Sequence, residues 1–110
     1  MATNRLPLDF EYLKEMYDDE YYPKNLVDKV KSAIMELVVF IEKGSHSIEQ
    51  IQEALDRMTV SINNLQEEFE ENDSELETVA RDSIGVTVEN ILKHFNIDID
   101  IEEAIRERDW

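Results

Sequence analysis

Carboxylates are the most abundant side chains here that could take part in chemistry, and only two histidines accompany them. The 110 residues include 27 aspartates and glutamates, His46 and His94, and no cysteine. Carboxylate-bridged di-iron sites in helical bundles need a Glu-x-x-His pair on each of two helices. Lys43 precedes His46 by three residues and Ile91 precedes His94 by three, so both pairs are missing. We expect His46 to be an exposed loop residue and His94 to lie in the last turn of a helix, where a cation suits the helix dipole.

A second arrangement of acids could in principle bind calcium. Asp98, Asp100 and Glu102 resemble the opening of a calcium-binding loop, and Asp109 falls near the place of its closing acid. Glu103, however, stands where the sharp turn of such a loop needs glycine, and apolar residues separate the acids. The stretch therefore predicts the start of a helix, and the sequence predicts no metal and no other cofactor.

Catalytic motifs are missing as well. A nucleophilic triad needs a serine, cysteine or threonine held against a base, and no Gly-x-Ser-x-Gly motif is present. Gly44 and Gly85 are the only glycines, so the chain has no glycine-rich loop to hold a phosphate. With 27 carboxylates, pairs that look like an acid and a base arise by coincidence. No catalytic residue is assigned, and the sequence favours a protein that is not an enzyme.

The charge of the chain limits its partners and its location. Eleven basic residues against 27 acidic ones leave a net charge of −16, which repels phosphate backbones, so direct binding of nucleic acid is not expected. The longest apolar run, Leu37–Ile41, is far shorter than the ~20 residues that span a bilayer. Residues 1–10 do not resemble a secretory signal, and the absence of cysteine permits a reducing compartment. We therefore predict a cytoplasmic protein with no membrane segment.

The element that must organise the chain is an apolar stripe between residues 47 and 72. Its members follow one another at alternating steps of three and four residues, which places them on one face of a helix. They are Ile48, Ile51, Leu55, Met58, Ile62, Leu65 and Phe69. Other helices must cover this face, so we predict a single long helix at the centre of a helical bundle.

Two further long helices are predicted beside it. The first begins at Pro23 or Lys24, has a broad apolar face and ends at Gly44. A capping box of Ser47 and Gln50 then starts the central helix, and so short a connection makes the two helices antiparallel neighbours.

The third long helix is predicted from a second capping box, formed by Ser74 and Glu77, to a left-handed stop at Asn96. Gly85 lies inside it and indicates either a close helix contact or a local kink.

Shorter elements are predicted at both ends of the chain. Pro7 opens a short helix before the tyrosine corner at residues 21–22. Ile97–Ile101 forms an extended connection, and Asp100 with Glu103 caps a last helix, Ile101–Arg108. The predicted fold is all-α: one domain, residues 1–110, forming a small antiparallel bundle of three long helices with short N- and C-terminal helices. We expect residues 1–6 to be flexible.

Several stretches together resemble a known family. They are Met16–Asp19, Tyr22–Pro23, Leu26–Val30, Ile62–Phe69, Ser74–Arg81 and the terminal Arg108–Trp110. Their pattern resembles an uncharacterised bacterial family, domain of unknown function 5713. The resemblance implies no activity, cofactor or partner, but it directs attention to four polar residues around one predicted turn: Asn63, Glu67, Glu77 and Arg81.

These four residues form the candidate site. Glu77 and Arg81 are spaced to share one helix face, and Asn63 lies close to the predicted helix seam. Arg81 could tie neighbouring helices together through carboxylates, in which case the four form an interhelix network. The other interpretation is a small polar pocket.

Three functions remain open. The leading hypothesis is a protein-interaction module that presents an acidic helical surface to a basic protein partner, as immunity and antitoxin proteins do. The alternative is a ligand-binding or enzymatic domain with a small polar pocket near Asn63 and Arg81. Its expected lining is Tyr12, Tyr21, Tyr22, Asn63, Arg81 and Trp110. The third hypothesis is a homodimer that buries an exposed part of the first long helix.

Overall fold

A computed structural model describes residues 5–110, and all the regular structure in that part of the chain is helical, which confirms the predicted all-α fold. The helices of this part are α1 (Lys14–Asp18), α2 (Lys24–Glu42), α3 (Ile48–Asn63), α4 (Gln66–Glu71), α5 (Thr78–His94) and α6 (Ile101–Ala104). The long helices α2, α3 and α5 supply most of the core. The flexibility expected for residues 1–6 falls mainly on residues 1–4, which lie outside the described residues, whereas Leu6 is buried.

The molecule is a flat body measuring 46 × 28 × 18 Å between Cα atoms. Packed helix axes lie roughly 8–10 Å apart, so a thickness of 18 Å holds about two layers of helices. Helix α2 packs along α3, while α5 contacts both α1 and α6, and α6 also reaches α3. With only two layers, a long helix keeps one side exposed.

The connection between α2 and α3 forms as the sequence predicts. Gly44 adopts a left-handed φ of +82° after the last turn of α2. The Ser47 Oγ accepts a hydrogen bond from the Gln50 N–H at 3.1 Å, and the Gln50 Oε1 accepts one from the Ser47 N–H at 2.9 Å. The predicted capping box is therefore confirmed.

The continuous central helix predicted through residue 71 is wrong, because α3 ends at Asn63 and α4 begins at Gln66, with two residues between them. In the turn between them, the Leu65 N–H donates to the Ile62 carbonyl, one residue closer than in an α-helix. After this turn Phe69 is fully buried, edge-on to Tyr22 with the ring centroids 6.5 Å apart. Most of the stripe is buried, but Leu65 is half-buried and Ile48 is 52% exposed.

The second predicted capping box is also wrong. Helix α5 begins at Thr78 rather than after Ser74, and Glu77 takes the N-cap position without a side-chain hydrogen bond. The backbone of Ser74 takes part in the C-terminal turn of α4. The Ser74 N–H donates to the Phe69 carbonyl at 2.8 Å, directly after Asp73, which is left-handed (φ +57°). The Ser74 hydroxyl is buried and has no hydrogen-bond partner among residues 5–110. Tertiary packing has therefore shifted the start of α5 along the chain.

The interior and end of α5 agree better with the sequence. Asn96 is left-handed (φ +56°), and the N–H of Ile97 donates to the Leu92 carbonyl at 2.9 Å, which confirms the predicted stop. A Cβ added at Gly85 would meet no atom within 4 Å. Of the two interpretations of this glycine, a close helix contact is therefore excluded.

The N-terminal helix starts later than predicted. Pro7 opens only a turn, in which its carbonyl accepts the Phe10 N–H at 3.1 Å, and α1 begins at Lys14. Leu13 is completely buried in a left-handed conformation (φ +54°), and its N–H donates to the Thr87 Oγ1 at 3.0 Å. This contact with α5 stops a helix from forming across Leu13.

The C-terminal helix is shorter than predicted, since α6 ends at Ala104. Asp100 caps it by accepting the Glu102 N–H at 3.1 Å, but the expected reciprocal bond from Glu103 does not form. The Glu103 carboxylate instead binds Arg106 at 3.2 Å. The stretch before α6 forms no strand, in agreement with the predicted extended connection.

The sequence predicted the position of one histidine correctly and the exposure of the other incorrectly. His94 lies in the last turn of α5 as expected, with its Nε2 2.7 Å from the Arg5 carbonyl oxygen. His46 is half-buried rather than exposed. Its ring stacks on Phe40 at 3.9 Å between centroids, and its Nε2 lies 2.8 Å from the Phe40 carbonyl oxygen.

Candidate functional site

The four polar residues predicted as a site do not form one hydrogen-bonded cluster within residues 5–110. Asn63, at the end of α3, holds the C-terminal segment instead. Its Nδ2 donates to the Glu107 carbonyl at 2.8 Å, and its Oδ1 accepts the Asp109 N–H at 2.9 Å. The structure therefore gives Asn63 a structural contact that joins α3 to the end of the chain.

The other three predicted site residues are exposed, one on α4 and two at the start of α5. Glu67 is in the first turn of α4, Glu77 precedes α5, and Arg81 is in the first turns of α5. Within residues 5–110, Arg81 forms no ion pair, with Glu77 or with any other carboxylate. Nearby, desolvation raises the pKa of Tyr21, and the negative charges of Glu77 and Glu75 raise it further.

Arg81 does line a small cleft beside the last residue, which we call the Trp110 cleft. It has a volume of about 250 Å³. Its lining is Gln66, Glu70, Glu75, Leu76, Arg81, Asp109 and Trp110. The indole Nε1 of Trp110 is buried, and no residue in the described range 5–110 accepts a hydrogen bond from it. Tyr12, predicted to share a pocket with these two residues, instead packs edge-on against Phe10 and beneath the Lys31 ammonium.

A larger cleft lies at the other end of α3, where the segment before α6 crosses it. We call it the acidic cleft, and its volume is about 750 Å³. Its lining is Ile48, Glu49, Gln52, Glu53, Asp98, Ile99, Asp100, Glu103 and Arg106. Five of these residues are acidic and one is basic, so the lining is strongly negative.

The one basic residue that lines this cleft is already paired with acidic neighbours. Arg106 binds both carboxylate oxygens of Asp56, at 3.2 and 2.8 Å, and also contacts Glu103 at 3.2 Å. Partial burial raises the pKa of Asp56, but hydrogen bonds from Arg106 and Gln52 and the guanidinium charge outweigh burial, so the pKa lies below its usual range. The Asp56 hydrogen bond and charge raise the pKa of Arg106. The arginine therefore adds little positive charge to the cleft.

The remaining carboxylates of the cleft are available to a partner. Glu49, Glu53 and Asp98 are exposed and form no ion pair with any residue in the range 5–110. Ile48, 52% exposed, lies among them, and half-buried Ile99 lines the cleft beside it. Such a surface can bind cationic groups at its edges and an apolar side chain at its centre.

Sequence reasoning missed this cleft because its two sides are about fifty residues apart in the chain. Two signals pointed towards it. One is the alternation from Ile97 to Ile101, in which the isoleucines are half-buried and the aspartates exposed. The other is the position of Ile48 at the very start of α3, beyond the cover of neighbouring helices. The stripe pattern alone assigned Ile48 to the core.

Among residues 5–110, no group of three or more His, Asp or Glu side chains is arranged to hold a metal ion. In the same residues, no helix combines the length and apolar character needed to cross a bilayer.

Comparison with known proteins places the chain in a family. A family model described as "Family of unknown function (DUF5713)" matches residues 7–110, so the chain belongs to that family. This match confirms the resemblance seen in the separate sequence stretches. No curated protein and no solved structure matches the chain.

Proposed function

We propose that this member of the DUF5713 family is a protein-interaction module that binds a basic, amphipathic segment of a partner protein in its acidic cleft. The observation that carries the proposal is a set of three carboxylates, Glu49, Glu53 and Asp98, that lie around the exposed Ile48 and form no ion pair within residues 5–110. Lysine or arginine side chains of the partner would pair with the carboxylates, and an apolar side chain would cover the isoleucine.

The overall charge supports this choice of partner. Within residues 5–110, ion pairs engage only five of the 27 carboxylates of the chain. The other carboxylates contribute to a negative potential that attracts cationic proteins and speeds their association. The screening length is roughly 10 Å at 0.1 M salt and roughly 3 Å at 1 M, so this attraction must weaken as salt is added.

The proposed setting is the cytoplasm, because a chain without cysteine requires no oxidising compartment. Binding rather than catalysis fits the residues of the cleft, since they include no nucleophile held against a base.

The test compares charge reversal in the cleft with an equal reversal elsewhere. Glu49→Lys with Glu53→Lys removes two unpaired carboxylates one helical turn apart. Glu67→Lys with Glu71→Lys is the matched control, because these exposed residues on α4 have the same spacing. Both double variants change the net charge by the same amount, so only the position of the change differs.

Each protein is immobilised and used to capture proteins from lysate at about 0.1 M and about 1 M salt. The electrostatic screening length differs roughly threefold between these two salt concentrations. Melting curves verify that each variant is folded. We expect a basic protein that wild type and the α4 variant retain at low salt and that the cleft variant loses. Retention of the same proteins by the cleft variant would refute the proposal.

A second candidate function is binding of a small polar ligand in the Trp110 cleft. The observation in its favour is that Arg81 and Trp110 both line this cleft, and that neither the Arg81 guanidinium nor the buried indole N–H is paired with an acceptor among residues 5–110. Arg81→Ala separates a binding role from a structural one. A binding residue can be lost with little change in melting temperature, whereas a residue that ties helices together cannot.

A further inference from the structure

A groove runs along the exposed side of the α2–α3 pair, away from the acidic cleft. We call it the outer groove; its volume is about 630 Å³. Met35 and Val39 on α2 are 44% and 53% exposed in it, and Phe40 is half-buried. On the opposite side of α2, buried side chains face the core. The outer groove is therefore an apolar surface that no other helix of residues 5–110 covers.

The charges of the outer groove differ from those of the rest of the molecule. Its lining includes one acid, Glu36, and two bases, Lys43 and Arg57, whereas the chain as a whole carries −16. Arg57 lies 5.7 Å from the centre of the Phe40 ring, so its guanidinium is held above an aromatic face. Neither base forms an ion pair within residues 5–110.

The order of these charges along α2 makes the surface complementary to itself. Glu36 and Lys43 are seven residues apart, which is two helical turns and about 10 Å, and Val39 and Phe40 lie between them. When two α2 helices meet antiparallel about a two-fold axis between Val39 and Phe40, Glu36 of each copy faces Lys43 of the other. The apolar side chains then meet at the centre.

We propose that the outer groove is the interface of a homodimer in which two copies pair through α2 in this antiparallel register. Two molecules that each carry −16 repel each other over most of their surfaces, and this groove, with its excess of bases, reduces that repulsion. A closed two-fold contact also lets one apolar patch cover its own copy. The acidic clefts of both copies are left out of the interface.

The first experiment measures the mass of the full chain in solution by sedimentation velocity and light scattering over a wide concentration range. Wild type should approach twice the monomer mass of 13.0 kDa as its concentration rises. Val39→Glu should weaken association at least about tenfold, because it places two like charges at the centre of the contact. Val86→Glu on α5 is the matched control, since Val86 is 50% exposed on another face, and it should dimerise like wild type.

The second experiment tests the register by exchanging charges. Glu36→Lys alone and Lys43→Glu alone should each weaken the dimer, because each makes two like-charge contacts across the two-fold axis. Combining them restores opposite charges at both contacts and the wild-type net charge, so the double variant should dimerise again. Melting temperatures show whether Lys43→Glu, at the C-terminus of α2, also destabilises the monomer.

Three results would overturn all or part of the proposal. A wild-type protein that is monomeric at every concentration overturns the proposal. It does so even if the groove is then found to bind a different protein. A dimer that Val39→Glu leaves intact overturns this location. A double variant that stays monomeric while Val86→Glu dimerises overturns the antiparallel register.

Discussion

Replacing Asn63 with alanine should release the C-terminal segment from the helical body. The Asn63 side chain makes two hydrogen bonds to that segment, donating to the Glu107 carbonyl at 2.8 Å and accepting the Asp109 N–H at 2.9 Å. Trp110 follows directly and is 9% exposed, so its burial depends on this attachment. The prediction is a loss of stability together with exposure of the indole.

The size of the effect follows from the two bonds. Each hydrogen bond contributes about 0.5–1.5 kcal/mol to stability, so Asn63→Ala should cost about 1–3 kcal/mol. For a domain of this size, the melting temperature falls by about 4 °C per kcal/mol. The ratio of attached to detached C-terminal segment should fall by roughly 5- to 150-fold for a loss in this range.

The assay uses the only tryptophan of the chain as a local reporter. Tryptophan emission in rising urea reports detachment of the C-terminal segment, and far-UV circular dichroism reports loss of helix. In the variant we expect emission to shift to the red at lower urea than the loss of helix. Asn64→Ala is the control, since this neighbouring residue is exposed and its side chain makes no hydrogen bond within residues 5–110.

Equal stability and equal emission for the two variants would refute the reasoning. The two side-chain hydrogen bonds of Asn63 would then not hold the C-terminal segment to the helical body. If Asn63→Ala unfolds the helices and exposes Trp110 in one transition, the segment is part of the cooperative core, and the cost must still exceed that of Asn64→Ala.

Three further predictions concern stability. Ser47→Ala should cost about 1 kcal/mol by removing a capping box. Ser74→Ala should be neutral or stabilising in urea unfolding, because it removes a buried hydroxyl that makes no hydrogen bond within residues 5–110. Gly85→Ala should raise stability by up to about 1 kcal/mol, since its Cβ meets no atom within 4 Å, and a lower melting temperature would contradict this. The Asp56–Arg106 pair lowers the pKa of Asp56 below its ordinary value of 3.8. The stability that this pair contributes to the folded protein is therefore present above about pH 4, and it is lost as the pH falls through the lower pKa of the folded state. In the Asp56→Asn variant, the melting temperature should therefore fall less between about pH 5 and pH 2.5 than it does in wild type.

The amino-acid sequence alone was enough to predict the helical fold and those helix boundaries that depend on a few neighbouring residues. Gly44 and Asn96 end helices in left-handed conformations, and Ser47 forms the predicted cap. These signals are reliable because the groups that satisfy the backbone lie within one helical turn of each other. The family could also be recognised at this level, because its motifs are local stretches of the chain.

Tertiary structure decided the boundaries at which a distant contact competes with a local one. Ser74 has the same capping pattern as Ser47, but its backbone ends α4 and its hydroxyl is buried, so α5 starts later. Leu13 is held in a left-handed conformation beside Thr87, which delays α1. Burial of a large apolar side chain contributes roughly 1.5–3 kcal/mol, more than the ~1 kcal/mol of a typical cap, so packing prevails over local preference.

The candidate sites depend on tertiary structure even more strongly. Asn63 was recognised as a residue of interest, but only the fold shows that it binds the end of the chain. The acidic cleft joins the start of α3 to the segment before α6, and the sequence gives no register between two stretches so far apart. A charge of −16 can be counted from the residues, whereas the position of the unpaired carboxylates around Ile48 exists only after the helices have packed.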